Sequence, residues 1–110
     1  MFEINGEIWL VRFTAPDHPI FLMENGEYTI GTCDDRTKTI YLANNLDGSL
    51  LRKVLCHEIV HSAMFSYNVF LSYEQEEILA DIIATYGREI IKNANDMFKR
   101  LQLCKQCYEL

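Results

Sequence analysis

Residues 56–61 read Cys56-His57-Glu58-Ile59-Val60-His61, the pattern H-E-x-x-H inside a long apolar run. If the run from residue 50 to about residue 67 is one helix, His57 and His61 project from one face, a single turn apart. Two imidazole nitrogens can then reach one metal ion. Glu58 lies about a quarter turn from His57, where it can contact a water on that ion without joining the ligands. The stretch therefore predicts a helix that carries half of a metal site of the kind found in zinc hydrolases.

The alternative interpretation of this stretch needs no metal: two buried histidines satisfied by hydrogen bonds, with Glu58 in a surface ion pair. The predicted helix is apolar almost all round, because Val54, Ile59 and Val60 lie on three different sides. Such a helix is expected to be buried. An ionised carboxylate in those surroundings is unfavourable unless it is paired or lies beside a metal. The position of Glu58 thus favours the metal.

The composition of the 110 residues fits one globular domain, since 49% are hydrophobic and 12% aromatic. The formal net charge of -6 argues against a nucleic-acid partner, because phosphate contacts need clustered Lys and Arg. No basic lead-in to an apolar run opens the chain, and no uncharged apolar run approaches about eighteen residues. We therefore expect neither a signal peptide nor a membrane span, a cytoplasmic location, and reduced cysteines.

The predicted fold class is α+β, with a small antiparallel or mixed sheet packed on helices in a single domain over residues 1–110. Residues 1–46 are mainly β: a hairpin over residues 2–13 turns at Asn5-Gly6, and β-rich runs at 28–33 and 38–42 form a second hairpin. A loop separates the hairpins, and we expect its His18 to be exposed and not a ligand. Asn44, Asn45 and Asp47 are candidate N-caps for the motif helix over residues 47–67.

A second helical region follows over residues 72–110. Ser72-Tyr73-Glu74-Gln75 fits the capping box S-x-x-Q, which marks its first turn. Beyond Asn93 the helix either continues or restarts, so this region is assigned to one or two C-terminal helices.

A third metal ligand is needed, because catalytic zinc usually takes three protein ligands and leaves a fourth position for water. Glu77 is the best candidate: Glu77-Ile78-Leu79-Ala80-Asp81 places a second carboxylate one helical turn after the first. Asp81 can accept a hydrogen bond from the nitrogen of His57 or His61 that does not bind the metal. Two like charges at this spacing repel, and a nearby metal would remove that cost.

Other third ligands stay open at this point. Glu74 and Glu76 are close in sequence, but neither is followed by a carboxylate four residues later, and Glu76 points about a quarter turn away from Glu77. A histidine ligand could only be His18, because no histidine follows His61.

The two linked motifs resemble those of the gluzincin metallopeptidases, whose second motif is a glutamate ligand with an aspartate behind it on the following helix. The string E-x-x-A-x-x-x-A at Glu77, Ala80 and Ala84 is further similar to the ImmA/IrrE family of bacterial and phage-associated peptidases. That family usually has Asn and Phe where this chain has Asp81 and Ile83. The resemblance covers about residues 28–91 and implies a minimal zincin-like fold.

The resemblance also implies a function: a zinc-dependent peptidase, in one form a regulatory protease, in which His57, His61 and Glu77 bind Zn²⁺. Glu58 would act as the general base on a protein or peptide substrate. Residues 38–42 are the expected edge strand beside that substrate. The oxyanion partner stays open among three tyrosines: Tyr67, Tyr73 and Tyr86. The alternative is a non-catalytic zincin-like regulatory or interaction module with a structural metal.

Two features lie outside these motifs. Cys104-Lys105-Gln106-Cys107 is a C-x-x-C pair, interpreted as buried or terminal thiols because the chain has no second such pair. Apolar and small residues also recur at alternating spacings of four and three, as a heptad-like seam of Ile83, Gly87, Ile90, Ala94, Met97, Leu101, Cys104 and Tyr108. The ordinary interpretation is packing on the domain's own core, and a homodimer contact is the alternative.

Overall fold

The computed structural model describes residues 1–103, which form a mixed four-stranded sheet followed by two helices packed against it. This is the predicted α+β class. The strands are β1 (Phe2–Ile4), β2 (Glu7–Thr14), β3 (Gly31–Asp34) and β4 (Thr39–Ala43), and the helices are α1 (Gly48–Ser66) and α2 (Tyr73–Leu103). The C-x-x-C pair at Cys104 and Cys107 lies outside the described residues.

The first hairpin follows directly from its turn residues. Asn5 and Gly6 have φ values of 51° and 78°, the left-handed pair that a two-residue type I′ turn requires. β1 and β2 therefore pair antiparallel, with Phe2 opposite Trp9. The buried Trp9 indole donates a hydrogen bond of 2.8 Å to Ser66 Oγ at the end of α1, which holds the hairpin against the motif helix.

The order of strands in the sheet is β1-β2-β4-β3. β4 pairs with β2 in parallel and with β3 antiparallel. The prediction that residues 38–42 form the edge strand is therefore wrong, because both sides of β4 are occupied and the two edge strands are β1 and β3. The long-range pairing of β2 with β4 determines this strand order, and no turn residues in the sequence predict that pairing.

β3 approaches α1 closely because residue 31 is a glycine. A Cβ at Gly31 would lie 2.7 Å from Val54 Cγ1 and 3.3 Å from Glu58 Oε2, and the first distance is too short for any side chain. The edge strand consequently passes directly beside the motif glutamate.

The motif helix begins after Asp47, one of the predicted N-caps, although the Asp47 side chain makes no capping hydrogen bond. Its burial is less complete than its composition predicts. Leu50 is half exposed, and Phe65 is also exposed, whereas Glu58 and Val60 are buried. The sheet covers one side of α1 and α2 covers another, so a two-layer domain of this size leaves part of the helix in solvent.

α2 starts with the predicted capping box. The Ser72 N–H donates to Gln75 Oε1 and the Gln75 N–H donates to Ser72 Oγ, both at 3.1 Å. The helix continues without a break past Asn93 to Leu103. No helix within residues 1–103 combines the length and the apolar character that crossing a membrane requires.

Candidate metal centre

Three potential ligands from two helices converge on one point. His57 and His61 of α1 and Glu77 of α2 each offer an atom within 4.8 Å of the others. The two Nε2 atoms are 3.1 Å apart. Glu77 Oε1 lies 2.8 Å from His61 Nε2, and Glu77 Oε2 lies 3.4 Å from His57 Nε2.

These distances between donor atoms match the spacing of ligands around a tetrahedrally coordinated metal ion. Zinc holds nitrogen and oxygen ligands at about 2.0–2.2 Å, so neighbouring ligands at the tetrahedral angle are roughly 3.3 Å apart. The three separations in the His57, His61 and Glu77 group scatter around that value. The backbone and side chains therefore place the donor atoms where one small cation would contact all three.

Carboxylates hold the other nitrogen of each imidazole. His57 Nδ1–H donates to Asp81 Oδ1 at 2.9 Å, and His61 Nδ1–H donates to Glu76 Oε2 at 2.7 Å. Both Nε2 atoms then carry lone pairs that point toward each other and toward the Glu77 carboxylate. Three facing acceptors repel unless a proton or a metal cation lies between them, so this arrangement could hold a metal ion.

Glu76 is the residue that sequence reasoning missed in this role. Asp81 was predicted to accept a hydrogen bond from either histidine, and it reaches His57 alone. The sequence suggests Glu76 only as an alternative metal ligand, yet its carboxylate accepts a hydrogen bond from His61. The only sequence feature that points to Glu76 is its position next to Glu77. The orientation of α2 on α1 determines which histidine each carboxylate contacts.

The other candidate ligands lie elsewhere. His18 is exposed, and its Nδ1 accepts a hydrogen bond of 3.0 Å from the Ile20 N–H. Glu74 is exposed on the first turn of α2. Among the described residues, the group that could hold a metal contains neither of them.

Glu58 is 7% exposed and lines the same cavity as the three ligands. Burial raises its pKa to about 7, His57 opposes this shift, and the Glu77 charge adds to it. A carboxylate with a pKa near neutrality can accept a proton and release it again at physiological pH. Glu58 is outside the group of three potential ligands, although it lines the same cavity.

The cavity has a volume of about 370 Å³ and lies between β3, α1 and the start of α2. Tyr73 lines it, whereas Tyr67 and Tyr86 are not among the described lining residues. Cys33 also lines it, and burial together with the Glu58 charge raises the pKa of this thiol to about 12. Cys33 therefore stays protonated, and both Cys33 and Cys56 are free thiols.

The raised pKa of Glu58 gives a prediction for the metal-free protein. Between its ordinary pKa of 4.5 and about 7, the folded chain binds a proton that the unfolded chain releases, so wild-type stability falls as pH rises through this window. Gln does not titrate. Glu58→Gln should thus raise the free energy of unfolding by about 2–3 kcal/mol at pH 8 and by almost nothing below pH 4.5.

Urea denaturation with a chelator present, across this pH range, measures the difference. Glu74→Gln is the matched control, because Glu74 is exposed and its replacement should give no pH-dependent gain. An equal gain from Glu58→Gln at both ends of the range would contradict the buried-charge explanation.

Comparisons of the chain with protein-family models, curated proteins and solved structures found no match.

Proposed function

We propose that this chain is a zinc-dependent peptidase of the gluzincin type. One observation carries the proposal: His57, His61 and Glu77 converge within 4.8 Å, and the buried Glu58 faces the same cavity. Two histidines and one glutamate are a ligand set of known zinc peptidases, and three protein ligands leave a position open for catalysis.

In the proposed mechanism His57, His61 and Glu77 would hold the zinc. When bound, the ion would polarise the scissile carbonyl and lower the pKa of a water. Glu58 accepts a proton from the attacking water and delivers it to the leaving nitrogen, a role that its position in the same cavity allows. Asp81 and Glu76 keep the imidazoles in the tautomer that presents Nε2.

The substrate in this proposal is an extended peptide or protein segment. β3 is the last strand of the sheet, and its residues Gly31, Thr32 and Cys33 border the cavity beside Glu58. An extended chain can add to such an edge through main-chain hydrogen bonds. Tyr73, on the rim of the same cavity, is the tyrosine best placed to contact a developing oxyanion.

The non-catalytic alternative has less support. Structural zinc sites are normally closed by four protein ligands, and the group within residues 1–103 has three. A regulatory protease acting on one protein target remains a form of the proposed function, and substrate trapping with Glu58→Gln would reveal that target as a captured protein.

The decisive experiment is metal analysis combined with hydrolysis of an unfolded protein substrate. We expect about one zinc per chain, loss of activity on chelation, and recovery when zinc is returned. If the purified protein contains no stoichiometric metal and a chelator does not change its stability, the proposal is wrong. Stoichiometric zinc without hydrolysis of any substrate would favour the non-catalytic module.

A further inference from the structure

The second half of α2 leaves an apolar face uncovered. α1 packs along the first half of α2, where Glu76, Glu77 and Asp81 contact the two histidines. The molecule is 58 Å long but only 30 × 27 Å across, because α2 extends beyond the sheet. Four large side chains of the predicted seam are between 37% and 56% exposed: Ile83, Ile90, Met97 and Leu101. Packing of this seam on the domain's own core, the ordinary expectation, does not occur within residues 1–103.

We propose that two copies of the chain associate through this face as an antiparallel helix pair. Side-chain size along the seam favours this arrangement. In an antiparallel register centred near residue 92, Gly87 faces Met97 of the second copy, Ile90 faces Ala94, and Ile83 faces Leu101. Small residues oppose large ones in two of these layers, so the helices can interdigitate at the density of a protein core.

A parallel pair would fit poorly. Each residue would face its own copy, so Gly87 would oppose Gly87 and Ala94 would oppose Ala94. Those layers would leave voids, and the Met97 layer would be crowded. Within residues 1–103 the seam thus favours one direction of pairing.

The available area is sufficient for a dimer. Covering the exposed apolar side chains from Ile83 to Leu101 in both copies would bury roughly 1,000–1,500 Å², which approaches the size of a standard specific interface. Glu76, Glu77 and Asp81 precede Ile83 on α2, so the pairing over residues 83–101 uses none of the residues of the metal site. This proposal is independent of the peptidase proposal.

Sedimentation velocity of the full chain tests the association. We expect a dimer at about 50 µM and a rise in the dissociation constant of at least roughly 100-fold for Ile90→Glu. Thr85→Glu is the control, because it adds the same charge on the opposite, exposed side of the helix and should leave the dimer intact. Ile90 is exposed in one copy, so far-ultraviolet circular dichroism should show an unchanged fold for both variants.

A volume exchange tests the register. A Cβ at Gly87 would lie 3.2 Å from Ile83 Cγ2 of its own helix, a tight contact that the part-exposed Ile83 side chain can relieve by a small shift. Gly87→Leu should therefore leave the single chain folded, clash with Met97 of the second copy and weaken the dimer roughly tenfold. Adding Met97→Ala should restore association, since the enlarged and reduced residues face each other. The proposed interface is wrong if the wild-type chain is monomeric or if Ile90→Glu leaves the dissociation constant of the dimer unchanged. Failure of the double variant to recover would overturn the antiparallel register.

Discussion

Replacing Glu58 with Gln is expected to lower the rate of peptide hydrolysis roughly 10²–10⁴-fold, with zinc retained at about one per chain. Gln has almost the same shape as Glu, so it should fill the buried position beside Gly31 and Val54 without disturbing β3. It cannot accept the proton of the attacking water. Glu58 is also outside the ligand group, so metal binding should be unaffected. Turnover of a fluorogenic peptide and zinc content by mass spectrometry measure the two quantities.

The matched control for this variant is Glu74→Gln, which makes the same chemical change at an exposed position of α2 and should leave turnover unaltered. Activity of Glu58→Gln within a few-fold of wild type would show that another group takes the proton. Loss of zinc from Glu58→Gln would show that Glu58 belongs to the ligand set.

Replacing Glu77 with Ala is expected to empty the metal site. Only the two Nε2 atoms, 3.1 Å apart, would remain, and two imidazoles hold zinc far more weakly than three ligands do. We expect the zinc affinity to fall at least roughly 10³-fold, because one ligand contributes only part of the total binding free energy of a protein zinc site. Competition with a chromophoric chelator at pH 7 measures the change, and peptide hydrolysis should disappear with the metal.

The residues that support the histidines should have smaller effects on the same measurement. Glu76→Gln and Asp81→Asn keep the size of the side chains but weaken the hydrogen bonds to His61 and His57, so each should reduce zinc affinity about 10–100-fold. Glu74→Ala should change nothing. If Glu77→Ala retains wild-type affinity while Glu76→Gln loses zinc, the third ligand is Glu76 and the proposed assignment of the two residues is reversed.

The sequence by itself determined the features that depend on neighbours along the chain. Asn5-Gly6 fixes a hairpin because its backbone adopts positive φ. Ser72 and Gln75 fix the start of α2 because their side chains reach backbone groups three residues away. The spacing of His57 and His61 puts both on one face of α1 for the same local reason. These interactions span less than about two helical turns, so a pattern of residues is enough to predict them.

The tertiary structure alone decided which distant elements meet. The edge strand beside the cavity is β3 and not β4, because β2 pairs with β4, a strand that lies far along the chain. Glu76 supports His61 while Asp81 supports His57, because α2 lies across α1 at one particular rotation and depth. Glu76 and Glu77 differ by about 100° in direction, so the rotation of α2 on α1 decides which of them contacts a histidine Nδ1 and which faces the two Nε2 atoms. The packing of whole surfaces determines these contacts, and no short stretch of sequence specifies them.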